Sequence, residues 1–84
     1  MSTRYRATFS TWILPVPGTA QTQSIPGNYE VETFECGKGH TEVWKARLTQ
    51  TGQQIGPHFA KREACQDAAR AQFKTVVVDW KKQP

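Results

Sequence analysis

A two-layer α+β domain, in which a small antiparallel sheet of four to five strands carries a single helix on one face, is predicted by three features of the sequence. Residues 4–14 alternate in polarity, residues 29–50 are rich in β-branched and aromatic side chains around a glycine turn, and residues 60–74 place small residues along one helical arc. The 84 residues suit one domain spanning 1–84, because 37% hydrophobic content fills a thin core but not two.

In the first segment, "RYRATFSTWIL", Tyr5, Ala7, Phe9, Thr11 and Ile13 point one way, with Arg4, Arg6, Thr8 and Ser10 on the other. Trp12, like Trp44 and Trp80, is expected to pack in the core or at an edge, although alternation puts it on the face of the two arginines. Residues 15–28, "PVPGTAQTQSIPGN", follow. Three prolines and two glycines among polar residues remove donors and fixed conformations, so this stretch reads as a proline-rich loop or arm.

"YEVETFEC" and "TEVWKARLTQ" flank "GKGH" and read as two strands joined by a tight turn. "TGQ" is a second turn leading to a short strand at "QIG", before "GPH" breaks the pattern. The helix is then expected over residues 60–74, with Ala64, Cys65, Ala68, Ala69, Gln72 and Phe73 inward and Glu63, Gln66, Asp67, Arg70 and Lys74 outward. "TVVVDW" is the last strand, and residues 81–84, "KKQP", form a basic tail expected to fray.

A net charge of +4 permits a polyanionic partner without requiring one. Cys36 and Cys65 have neither disulfide-framework nor zinc-ligand spacing, so two reduced thiols, no metal and no cofactor are expected. The longest apolar runs, "WIL" and "VVV", are too short to cross a bilayer and the start carries no signal-peptide core, which places the protein in a cytoplasm, away from membranes. Catalysis is not expected. There is no GxSxG, phosphate loop or HExxH, and the one imaginable pair, Cys65 with His58, places the thiol on the inward arc of the helix.

One spaced series stands out. It runs from the turn Gly37, Lys38, Gly39, His40 through Trp44, Gly52 and Gly56 to Lys61 and Arg62, then Ala64, Ala68, Ala69 and Phe73. This series resembles the C-terminal two-thirds of a double-stranded RNA-binding domain, with a GPxH turn, an aromatic, two glycines, a basic pair opening the last helix and an alanine pair inside it. The resemblance covers residues 29–73 and lacks that family's first helix, since residues 1–28 read as strand and arm. Lys38 stands at the proline of the turn, His58 at a glycine, Ala60 at a serine and Cys65 at a third lysine. What the resemblance implies is shape-dependent binding to duplex RNA. Lys61 and Arg62 would face phosphates, and His40, with Lys38 in the same turn, would face a minor groove.

Arg4, Arg6, Lys81 and Lys82 form an accessory basic patch if the terminal strands are neighbours. Trp44 is expected to pack rather than stack. In style, though by no shared motif, the chain also resembles small accessory proteins of phages and mobile elements, among them the anti-CRISPR inhibitors. That resemblance implies occupancy of a nucleoprotein complex by protein contact, through residues 15–28, an edge strand, or Glu30, Glu32 and Glu42. A structural or oligomeric module is the remaining alternative. The expectation is thus a non-enzymatic binding module acting on nucleic acid or on a nucleoprotein complex.

Overall fold

The protein is described by a computed structural model covering residues 3–36 and 43–84. Its elements are β1 (Arg4–Pro15), β2 (Thr22–Glu35), β3 (Trp44–Leu48), α1 (Arg62–Arg70) and β4 (Phe73–Lys82). They form one antiparallel four-stranded sheet of order β3-β2-β1-β4, with the helix on one face, so the fold is α+β. The strand at the N-terminal end joins the same sheet and lies inside it.

The helix face of the sheet is closed by Ala7 and Phe9 of β1, Val31 and Thr33 of β2, Trp44, Ala46 and Leu48 of β3, and Phe73 of β4. Cys65 and Ala69 descend onto them from α1. Small residues there bring the helix backbone close to the sheet, and Gln66 Nε2 donates to Thr33 Oγ1 across the gap at 3.4 Å. Phe9, Trp12, Tyr29, Phe73 and Trp80 form a contiguous aromatic group, with Phe9 stacked on Phe73 at 5.0 Å between centroids.

Trp12 corrects the strict alternation expected along β1. The register against β2 shifts between Phe9 and Thr11, and beyond that point Trp12 stands opposite Phe73 and Ile25. Its indole packs on Phe73 at 5.7 Å and Tyr29 at 5.4 Å, on the helix side rather than beside Arg4 and Arg6. A bulge re-aims the side chains that follow it, which polarity alternation alone cannot register. At the same bulge a Cβ on Gly27 would stand 3.0 Å from the Tyr29 ring, a tight approach that the ring would have to relieve by moving a few tenths of an ångström.

Residues 15–28 are likewise not a free arm. Only the segment between β1 and β2 is a turn, closed by Val16 N–H donating to the Gln21 carbonyl at 3.0 Å, and from Thr22 the chain is a strand paired with the end of β1. Pro26 is tolerated because this part of β2 lies beyond the end of β3, where its missing donor is not needed. The basic tail is also in the sheet. Lys81 and Lys82 pair with Arg6 and Tyr5, and Gln83 N–H donates to the Arg4 carbonyl at 2.8 Å.

The expected third strand at residues 54–56 is reduced to single bridges. The segment after β3 turns back along it, with Leu48 N–H donating to Gln53, Ile55 N–H to Ala46, and Trp44 and Phe59 exchanging bonds both ways. Gly56 at φ 74 and then Pro57 interrupt a continuous ladder. The helix is shorter than the expected 60–74 at both ends. Phe59 is still paired to Trp44, Lys61 is extended at φ −124 and ψ 145, and Ala71 closes the last turn so that Phe73 begins β4. The two sheet edges therefore differ. β3 is lined by the returning segment, whereas β4 is bare and exposes Val76, Val77 and Val78.

Candidate nucleic-acid interface

Residues directly opposite each other in a ladder share a face. On the face away from the helix the registers place Lys45, Phe34 and Arg4 in one row across β3, β2 and β1. The next row is Arg47, Glu32, Arg6 and Lys81, and the third holds Glu30, Thr8 and Val78. Five cations from three strands thus surround one phenylalanine and one central carboxylate.

Glu32 organises this face. One carboxylate oxygen accepts from Arg6 Nε at 2.9 Å and the other from Arg47 Nη2 at 2.8 Å. Its side chain is 1% exposed, while those of Arg6 and Arg47 remain 41% and 42% exposed, so the arginines roof the acid and still meet solvent. Burial pushes the Glu32 carboxyl upward, but the hydrogen bonds and charges of the two arginines outweigh it and hold the group below the usual carboxylate range. Arg6 is pushed further up, chiefly by its bond to Glu32. Arg47 also lies over the Phe34 ring, its guanidinium carbon 4.7 Å from the centroid. Nearby, Glu30 accepts from Thr49 Oγ1 at 2.8 Å.

The sequence-derived residues are distributed differently from expectation. Arg4, Arg6 and Lys81 are brought together, because β1 and β4 are neighbours, while Lys82 stands opposite Tyr5 on the helix side. Lys61 is exposed at the start of α1. Arg62 turns inward instead: its Nη1 donates to Tyr5 Oη at 2.7 Å and its guanidinium carbon sits 4.7 Å from the Tyr5 centroid. Among the described residues its Nε is enclosed without a partner, and Nη2 meets Glu63 at 3.3 Å. Of the basic pair that opens the helix, Lys61 is exposed, and Arg62, its side chain 39% exposed, is held by Tyr5. Lys38, His40 and Glu42 lie outside the described residues.

Sequence reading missed Phe34, Lys45 and Arg47. The signal was present in "WKARL", where polar residues alternate with buried ones, but assigning that polar set to the face of Arg4 required the pairing register. Glu32, expected as a partner contact, is consumed within the fold.

The Cys65 thiol is fully buried and burial pushes it up to about 11, far from the thiolate a nucleophile requires. Among the described residues no group of three or more His, Cys, Asp or Glu side chains could hold a metal ion, and no helix is long and apolar enough to cross a membrane. Comparison with protein-family models, curated proteins and solved structures finds no match to this chain.

Proposed function

We propose that this protein is a non-enzymatic nucleic-acid-binding module that works through the open face of its sheet. The observation that carries this reading is the register that gathers Arg4, Arg6, Lys45, Arg47 and Lys81 on one face. A flat array of this kind meets a phosphate backbone with several cations at once, and each phosphate neutralised releases counterions. Glu32 fixes two of the guanidinium groups before any ligand arrives, which lowers the entropy lost on binding. The resemblance to a duplex RNA-binding domain points to the same ligand class through a different surface, the helix start, where Lys61 remains available.

The test is a salt titration of binding to short duplex RNA, duplex DNA and single strands. It compares wild type with Arg4→Ala/Lys81→Ala and with Lys61→Ala. Loss of affinity and a shallower salt dependence in the double variant, with little change for Lys61→Ala, is the expected result. A dominant effect of Lys61→Ala would return the site to the helix start.

One observation favours a second reading, inhibition of a nucleoprotein complex through protein contact. The β1–β2 hairpin has no charged residue from Ala7 to Tyr29, and Ile13, Leu14, Val16 and Ile25 are only half-buried in its outer part. Such a neutral, partly apolar ribbon suits a protein surface better than phosphate. Under this reading Leu14→Asp abolishes inhibition, while Arg4→Ala/Lys81→Ala leaves it intact.

A further inference from the structure

The open face carries one aromatic ring in the midst of its cations. Tyr5, Phe9, Trp12, Tyr29, Trp44, Phe59, Phe73 and Trp80 all belong to the core on the helix side or pack against it. Phe34 does not. It sits with Arg4 directly opposite on one neighbouring strand and Lys45 directly opposite on the other. From the nucleic-acid reading, on which this step rests, we infer that the ligand of the open face is a single strand with one base stacked at Phe34 and Arg47.

Three features select a single strand over a duplex. The Arg47 guanidinium carbon already lies 4.7 Å from the Phe34 centroid, and Nη2 is anchored to Glu32, so ring and cation are held together as one platform for a base. Aromatic faces and arginine planes are the surfaces on which unpaired bases stack, and a duplex keeps its bases inside, out of reach of such a platform. Next, the flanking cations Arg4 and Lys45 are separated by two strand spacings, about 10 Å, which sets one cation on each side of the stacked base for the adjoining phosphates. Finally, α1 is packed on the other face, and a four-stranded sheet is wider than the helix or two-stranded ribbon that a DNA major groove admits.

The experiment measures anisotropy of a labelled 12-nucleotide poly-U strand and of a 12-base-pair RNA duplex against salt concentration. The proteins are wild type, Phe34→Leu, Phe34→Tyr and Arg4→Ala, each checked for folding by circular dichroism. The expected result is a preference for the single strand and a loss of about tenfold in its affinity with Phe34→Leu, at unchanged salt dependence, because stacking releases no counterions. Phe34→Tyr keeps the ring and retains the affinity. Arg4→Ala lowers the magnitude of the logarithmic salt slope by about 0.7, the value for one phosphate on a single strand. Equal or tighter duplex binding, or a Phe34→Leu variant that binds the single strand like wild type, overturns the stacking inference and leaves the basic-face reading standing. Absence of binding to either probe at low salt overturns both.

Discussion

The two faces of the sheet are made from alternating residues of the same strands, yet they bury their side chains by different means. On the helix face Phe9, Val31, Trp44 and Phe73 exclude water with apolar area, which is worth roughly 25 cal/mol for each Å² removed from solvent. Among the described residues the open face has no second layer, and its one fully buried side chain, Glu32, is enclosed by two arginines that stay partly wet. The first face is built to resist change. The second holds charge at a fixed geometry on the surface, where partly wet ion pairs contribute less to folding.

The comparison breaks most sharply at Phe9, which is 1% exposed between Phe73 and Trp80. Phe9→Ala is expected to cost about 3 to 5 kcal/mol, a large part of the stability of so small a domain. Urea denaturation reads this as a fall in midpoint, or as failure to fold.

Glu32→Gln comes next and separates the two faces in sign. The amide keeps one acceptor oxygen but turns its N–H toward the second arginine, so one hydrogen bond is lost and the other weakened, which is expected to lower stability by about 1.5 to 3 kcal/mol, while affinity for a nucleic acid rises because the central negative charge is gone. A variant that loses both stability and affinity would show that preorganisation of Arg6 and Arg47 matters more than their net field. The same variant tests a pH dependence. Because the folded protein holds the Glu32 carboxyl below its ordinary value, its contribution is present above about pH 4.3 and is lost as pH falls through the depressed value. Acid unfolding followed by tryptophan fluorescence should therefore be less pH-dependent below about pH 4.3 in Glu32→Gln than in wild type.

Tyr5→Phe removes the acceptor of Arg62 Nη1 and is expected to cost about 1 kcal/mol, with binding on the opposite face unchanged. Smallest of all, Lys61→Ala alters an exposed side chain that makes no hydrogen bond or salt bridge among the described residues. Its stability should stay within about 0.5 kcal/mol of wild type by thermal melting.

The fold class was legible in the sequence because side-chain alternation and helical arcs are local consequences of backbone periodicity. The antiparallel pairing of β2 with β3 was legible for the same reason, while the turn expected at "GKGH" lies outside the described residues. The extent of several elements was not. Prolines and glycines in residues 15–28 argue for a loop when seen alone, but Thr22, Gln23, Ser24 and Ile25 find the ladder of β1 waiting for them. The helix was read too long because Gln72 and Phe73 continue its arc, whereas pairing of Phe73 with Trp12 places it in the sheet.

The candidate site divides in the same way. Arg4 and Arg6 were visible as the polar side of a strand, and their union with Lys81 depended on β1 and β4 being neighbours. What the sequence by itself determined is which residues share a face along an unbroken stretch of strand, as Arg4 and Arg6 do, a property of alternation that needs no partner and ends at the bulge before Trp12. Only the tertiary structure decided which strands lie side by side and in what register. Hydrogen bonding between segments distant in the chain therefore placed Lys45 and Arg47 beside Arg4, set Phe34 among them, and drew Arg62 away to Tyr5.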